Sequence, residues 1–377
     1  MSKILSHTET KRRAITMKNN LYLFSDSLIR RKDSSLLCEK LIKKTTEEDE
    51  LEVQEEKDLK QEEFYLDPDS IIPNGDKKYI PVESVDGIYT FGSIHFTSRL
   101  IYFLSQNHIP LHTFNFNGSY AGTFFPSERK VSGSTLIQQA AHYTNYKRRM
   151  IVAKEFTTAA VKNCMANLKY HMNRGAHVEE EFSFIEEMLE YVPTAEDVQE
   201  LFGIEGSIKK TYYSAWKKIF RYPVDFSHRV KNPPNNLINA LISYGNAIVY
   251  SVCLNQIYQT RLYPEIGFIH EVGEGKLPLC YDLADIFKPI FTDRTIFKVI
   301  NKNMVSEKDC IRKNGKCFLK ESAKKIFVTE LEAKLQTTIT IDENRKMSYK
   351  RLVKEECYKL IKHLNGEEQI KPYISKW

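Results

Sequence analysis

No Cys-x-x-Cys pair occurs in these 377 residues, and the seven cysteines are an odd number. That argues against a disulfide framework and against a four-ligand Cys/His zinc domain. Cys310 and Cys317 lack partners at a zinc-ligand spacing, so all seven cysteines are expected to be reduced thiols in a cytoplasmic protein. No apolar run approaches the roughly 20 residues that a membrane span needs, so no membrane partner is expected. Residues Met1 to Thr16 are polar and lack the apolar stretch of a signal peptide. Met17 directly precedes the first strand-like pattern, so it competes with Met1 as the native start and residues 1–16 read as a disordered tail. No nucleotide-binding loop, internal repeat or Pro-rich tract is recognisable.

Hydrophobic residues make up 42% of the chain, which is enough for a globular core and, at this length, for two domains. The formal charge of +6 hides an asymmetry. Glu47 to Glu63 holds ten Asp/Glu and two Lys, a local −8 that leaves +14 on the rest. A body that basic suits a polyanionic partner, because phosphate contacts dominate nucleic-acid affinity. A solvated basic surface is the competing explanation.

Leu21 to Ile29 reads as a strand, Arg31 to Asp33 as a turn, and Ser35 to Cys38 as the start of a return strand. The acidic stretch, about 45–63, reads as a solvated insertion. Asp67-Pro-Asp and Ile72-Pro-Asn-Gly75 punctuate its end, and Tyr79 to Val85 follows as a strand. Thr97 to Asn107 has the spacing of a short amphipathic helix with Leu100, Ile101, Phe103 and Leu104 inward. Two alternating arms, Leu111 to Phe116 and Tyr120 to Phe125, flank Asn117-Gly118 and predict a hairpin. From Ser134 the period is helical: a long stretch to Met172, then patterns near 179–191, 195–220, 236–260, 279–287, 320–336 and 348–363. The expected fold is α+β, with an N-terminal β-rich domain at 17–126 carrying one short helix. A larger all-α C-terminal domain at 127–377 follows and carries the metal site.

Three segments carry candidate chemistry. Thr194 with Asp197 resembles a capping box ahead of Gly203-Ile-Glu-Gly206. Each glycine lowers helix stability by ~1 kcal/mol relative to alanine, so two beside Glu205 need a reason. Close approach of a ligand or partner helix is one; a kink with a solvated Glu is the other. Downstream, Tyr212, Tyr213 and Trp216 interleave with Lys209, Lys210, Lys217, Lys218 and Arg221. Cations beside aromatics suit phosphates and stacked bases, although an amphipathic helix with core aromatics has the same spacing. The Asn232-Pro-Pro-Asn235 entry, with Asn235 or Asn236 as a cap, leads into a buried scaffold helix. Finally, His270 ends an apolar run and Asp282-Leu-Ala-Asp285 follows. Asp282 and Asp285 share a helix face and repel unless a cation lies near, although Asp282 is also a candidate cap. Two carboxylates and one imidazole suit Mn²⁺ or Mg²⁺ better than a structural zinc.

With these residues in order, the chain resembles the CRISPR-associated integrase of spacer acquisition, the first-numbered family of the Cas series. The resemblance rests on several segments: Gly203-Ile-Glu-Gly206 with Tyr212, Pro233-Pro234 with Asn239-Ala-Leu-Ile-Ser243, and Pro264 with Gly267-Phe-Ile-His270. Asp282-Leu-Ala-Asp285 with Lys288-Pro289 completes the set. It covers roughly Met17 to Lys298. Departures are Asn236 where the family often has Asp, Arg261-Leu262 for Gly-Leu, and Lys288 where Arg often stands.

The resemblance implies Glu205, His270 and Asp285 as ligands of Mn²⁺ or Mg²⁺, with Asp282 a further active-site carboxylate. It implies a homodimer formed through the β domain, with two dimers flanking a dimer of the small second-numbered Cas protein. The substrates would be double-stranded DNA, both a captured fragment and the CRISPR repeat. A 3′-hydroxyl of the fragment would attack a phosphodiester at the repeat boundary. Lys209, Lys210, Tyr212, Lys217, Arg221, Arg229 and Lys288 are the expected DNA contacts. The rival readings are a standalone metal-dependent nuclease on branched DNA and a non-catalytic DNA-binding subunit.

Overall fold

The computed structural model describes residues 18–43, 71–115, 118–126, 132–231, 233–342 and 345–376. The expected tail, the acidic insertion, Asn117 and Asn232 lie outside them. The chain divides into two compact units, Met1–Leu111 with Phe124–Pro126, and His112–Thr123 with Ser127–Trp377.

In the first unit, β1 (Asn19–Leu23) runs parallel to β5 (Val85–Thr90). A second sheet has the order β4-β3-β2-β6, built from β2 (Ser27–Lys32), β3 (Ser35–Lys43), β4 (Ile71–Pro81) and β6 (Ile94–Phe96). The single strand expected over 21–29 is two, β1 and β2. The chain breaks at Ser25-Asp26, where Asp26 Oδ1 accepts from Ser93 N at 2.8 Å. A Cβ on Gly92 would stand 2.7 Å from the Ser25 carbonyl carbon. The turn expected at Ile72 to Gly75 lies inside β4 instead. Its Asn74-Gly75-Asp76 is a bulge opposite β3, closed by Asp76 N donating to Asn74 Oδ1 at 2.9 Å. The turn residues are there, but β3 pairs on both sides of them. Helix α1 (Ser98–Gln106) sets Leu100, Phe103 and Leu104 against Ile29, Leu36 and Ile88. Full burial of such a side chain stabilises by ~1.5–3 kcal/mol.

Most of the second unit is helical. Strands β7 (Leu111–Phe114) and β8 (Tyr120–Phe124) form the expected hairpin, and their arms 112–123 group with the helices. Gly118 explains this: its φ is +80°, and a Cβ there would stand 2.5 Å from the Tyr244 ring. The long helix expected from 134 is two, α2 (Gly133–Thr144) and α3 (Tyr146–Met172), because Asn145 breaks the chain and caps α3 through Arg148 N. Helices α4 (Glu179–Leu189), α5 (Val198–Ile219), α6 (Leu237–Tyr258) and α7 (Pro278–Lys288) follow. The cap of α5 is Asp197 and not Thr194: Asp197 Oδ1 accepts from Glu200 N at 2.7 Å, while Glu200 reaches back to Glu196 N. Asn236 caps α6 through Asn239 N. Contrary to the sequence reading, α6 is long and apolar enough to cross a membrane, but 78% of its apolar window is buried inside the protein.

Pro289 has no N–H to continue the ladder of α7, and a π-helical turn (Pro289–Asp293) joins it to α8 (Arg294–Asn301). After α8 the domain is not purely helical. Hairpin β9 (Cys310–Lys313) with β10 (Lys316–Leu319) precedes α9 (Glu321–Gln336). Hairpin β11 (Thr338–Asp342) with β12 (Arg345–Ser348) precedes α10 (Tyr349–Leu364). The first hairpin also corrects the cysteine count. Cys310 and Cys317 are joined as a disulfide with Cα atoms 6.1 Å apart, and the other five cysteines are free and buried. The turn at Asn314-Gly315, both at positive φ, brings the pair together, and a search for zinc-ligand spacing does not test for that.

Gly118→Ala should destabilise the second unit by about 1–2 kcal/mol from its left-handed backbone alone, and by more if Tyr244 cannot turn away. A calorimetric melt unchanged from the parent would show that this close approach is not needed.

Candidate active site

The loop from Tyr263 to Glu271 is tied down from both sides by polar side chains. From α2, Gln139 Nε2 donates to the carbonyls of Tyr263 (2.8 Å) and Ile266 (2.6 Å), and its Oε1 accepts from Tyr263 N. From α3, Arg149 Nε donates to the Phe268 carbonyl at 2.8 Å, and its guanidinium pairs with Glu271 at 3.0 Å. From α7, Asp282 accepts four hydrogen bonds. They come from the backbone N–H of Phe268 (2.5 Å), Ile269 (3.0 Å) and His270 (3.0 Å), and from His270 Nδ1 (2.7 Å). Asp282 is fully buried. It is the fifth residue of α7 and therefore not its cap. Both of its oxygens are engaged, and through Oδ1 it orients the His270 ring. Gly267 leaves the room this needs, because a Cβ there would stand 2.8 Å from Asp282 Oδ2.

With Nδ1 donating to Asp282, the Nε2 lone pair of His270 remains for a ligand, the arrangement metal-binding histidines use. Burial alone would lower the His270 pKa, but Asp282 and Asp285 outweigh it and raise it. The ring stands edge-on to Phe202 and Tyr281 at 5.5 and 5.6 Å. Opposite is Glu205, half-buried on a continuous α5. Open space surrounds Gly203 and Gly206, so neither a kink nor a packed partner helix accounts for them. Glu205 makes no hydrogen bond or ion pair with a described residue. Burial and the nearby Asp285 carboxylate raise its pKa, while Lys209, Lys288 and His270 pull it back. Asp285 shifts the other way: burial would raise it, but Lys288, Lys209 and His270 hold it below the ordinary range. Lys288 Nζ lies 2.5 Å from Asp285 Oδ1 and 4.5 Å from the centre of the Tyr250 ring.

Glu205, His270 and Asp285 therefore sense one another electrostatically. Even so, among the described residues no group of three His, Cys, Asp or Glu side chains converges tightly enough to hold a metal as placed. Asp285 is engaged by Lys288 and Asp282 by the loop. The donor chemistry still fits a hard divalent cation: one carboxylate without a partner, a second balanced only by lysine, and an imidazole with Nε2 free.

Several expected DNA contacts point inward. Tyr212 is fully buried, accepting from Asn167 Nδ2 at 2.9 Å and donating to Asp293 at 3.0 Å. Trp216 is buried beside it, so the aromatics of α5 are core. Arg229 donates to the carbonyls of Val230 and Asn239 and to Ser243 Oγ, which pins the loop before α6. Lys288 serves Asp285. Lys209 is half-buried and acts on Glu205 and Asp285; its place four residues after Glu205 was a readable signal for that. Lys210, Lys217 and Arg221 remain exposed. The sequence reading did not find Tyr250, Phe202 or Asp293, and it named Gly267 only as part of the motif that ends at His270.

Burial raises the Asp293 pKa to about 7 despite Lys209, Tyr212 and Lys288. A carboxyl raised above its unfolded value near 4 favours the folded state most at low pH. That contribution is lost as pH climbs from about 4 to about 7, by at most about 4 kcal/mol. In urea titrations Asp293→Asn should flatten this decline; an unaltered pH slope would show that Asp293 is ionised in the fold. His270→Ala should abolish activity and also lower the melting temperature, because it removes one of the four donors to the buried Asp282 carboxylate. Asp282→Asn should cost both activity and stability, with each N–H left unmatched worth about 1–3 kcal/mol. If Asp282→Asn melts like the parent, the four bonds do not hold the loop.

The profile described as CRISPR associated protein Cas1 matches residues 51–333. A CRISPR-associated endonuclease Cas1 of Fusobacterium nucleatum is 37% identical over 364 residues, 96% of this chain and 98% of the relative. The solved structure of a CAS1 protein from Thermotoga maritima is 31% identical, with a TM-score of 0.76 over 94% of this chain and 99% of that one. A casposase bound to integration product shares the fold at 20% identity, with a TM-score of 0.79 over 96% of this chain and 94% of that one. The geometry around His270 and Glu205 therefore sits in a known architecture, and the chain belongs to the Cas1 family of CRISPR-associated proteins.

Proposed function

We propose that this protein is a cytoplasmic, metal-dependent DNA integrase and endonuclease that inserts captured duplex DNA into a CRISPR array. One observation supports the metal above all. Glu205 has no hydrogen-bond or ion-pair partner among the described residues, its pKa is raised by the nearby Asp285 carboxylate, and it feels the charge of His270, whose Nε2 makes no hydrogen bond among the described residues. Glu205, Asp285 and His270 Nε2 would hold Mn²⁺ or Mg²⁺, with Asp282 fixing the tautomer and Lys288 steadying Asp285. A bound ion would polarise the phosphate and lower the pKa of the attacking hydroxyl. In the reaction, the 3′-oxygen of the incoming strand forms a bond to phosphorus while the bond to the target strand's 3′-oxygen breaks. The number of phosphodiesters is conserved. The exposed cations Lys210, Lys217 and Arg221 would hold backbone phosphates, which makes binding salt-dependent and tolerant of sequence. Family membership supports assembly as a homodimer with the small second-numbered Cas protein.

The test is a strand-transfer assay with short duplexes bearing free 3′-hydroxyls and a plasmid carrying a repeat, with and without the small partner, in Mn²⁺, Mg²⁺ or EDTA. Joined products that need metal and fall at least 100-fold in Glu205→Ala and Asp285→Ala are expected, in line with losses of second-shell or ligand groups. Cleavage without joining would favour a nuclease, and binding with neither would favour a non-catalytic subunit.

A further inference from the structure

The second unit contains a cavity of about 650 Å³, lined by seven Arg or Lys side chains and by Glu330 as its sole carboxylate. It lies where α3, α5, α8 and α9 end. Lys218 is neutralised by Glu181 and Lys298 by Glu330. Arg174, Arg221, Lys302 and Lys334 have no carboxylate within ion-pair distance among the described residues. Arg174 lies over the Tyr170 ring at 4.1 Å and Lys334 over Tyr349 at 5.0 Å, so both are held in place.

Two neighbours feel the excess charge. His171 is pushed down to about 4, by burial first and then by Arg174, Arg221 and Arg294. Lys334 is pushed down to about 8, by burial first and then by Arg294 and Lys298. Helix ends explain only part of the clustering. Each C-terminus carries about half a negative charge, so four supply roughly −2. Leaving out Arg294, whose buried guanidinium serves Asn167 and Ser375, six cations against Glu330 and Glu181 still leave a surplus of roughly +2 after that.

The surplus needs a polyanion. Lysine is depleted at the cores of protein–protein interfaces, whereas phosphate backbones recruit it. Lys218 follows Glu205 by 13 residues on the same helix, which is ~20 Å at 1.5 Å per residue. Phosphates of one strand advance by ~3.4 Å along the duplex axis, so for a duplex lying alongside α5 that span is about six nucleotides. We infer that this cavity is a second nucleic-acid contact, holding two or three backbone phosphates of a DNA strand about six nucleotides from the reacting phosphodiester. It rests on the DNA reading above and adds where the strand runs.

The experiment is fluorescence anisotropy of the full-length protein with labelled 30-base-pair duplexes across a salt series. The variants are Arg174→Ala/Lys302→Ala and the charge reversal Lys302→Glu, with melting curves as the folding control. The double variant should bind about tenfold or more weakly at moderate salt, with a log–log salt slope shallower by ~2, near 0.9 per lost phosphate contact. Lys302→Glu should bind more weakly than Lys302→Ala. The difference from wild type should vanish on duplexes too short to reach six nucleotides from the reacting end. An unchanged slope, or an equal loss on short duplexes, overturns the inference while leaving an integrase that still joins DNA intact. Intact DNA binding with lost assembly to the small partner also overturns it and assigns the cavity to protein. A wild-type protein that neither binds nor joins DNA overturns both readings.

Discussion

A buried carboxylate costs several kcal/mol in desolvation unless donors replace its water. Asp282 has four, three from consecutive backbone N–H groups and one from the imidazole of His270. That arrangement joins α7 to the loop before it and, in the same step, sets an orientation in which His270 offers Nε2. Gly267 must lack a side chain for the oxygens to reach the loop. Gln139 holds the carbonyls of Tyr263 and Ile266 and Arg149 that of Phe268, so the loop is tied to α2 and α3 as well as to α7. The candidate catalytic imidazole therefore depends on a helix that is itself anchored in the core.

Around that anchor the charges are left unbalanced in two ways. At the candidate site Glu205 has no hydrogen-bond or ion-pair partner among the described residues, while Asp285 is held by Lys288 and Lys209. At the far end of α5 the surplus is positive, in a cavity of arginines and lysines. An unpartnered carboxylate two turns into α5 and uncompensated cations at its C-terminal end suit a substrate that is a chain of phosphates, reacting at one place and held at another. Between them the face of α5 is core, with Tyr212 and Trp216 packed among aromatic rings and Tyr212 bonded to Asn167 and Asp293.

Much of this could be read from the chain. The change from period two to a helical period near residue 134, the cap at Asn236 and the inward face of α1 are local patterns. Local patterns survive because they depend on neighbours three or four residues away. What failed was whatever depends on distant partners. Asp282 and Tyr212 look like functional residues by type and spacing, but burial gives them structural partners. Arg229 and Lys288 look like phosphate contacts, but each has an internal oxygen to serve. The two C-terminal strand pairs and the Cys310–Cys317 bond rest on strands of only four or five residues, too short for a clear periodicity.

The sequence alone determined the order of elements, the catalytic residue types and the basic character of the body, because composition and periodicity are properties of the chain itself. Only the tertiary structure decided which carboxylate positions and which is left with surplus charge, which lysines face inward, and where the uncompensated cations gather. Those outcomes depend on desolvation and on charges brought together from far apart in the chain, and no local window contains either.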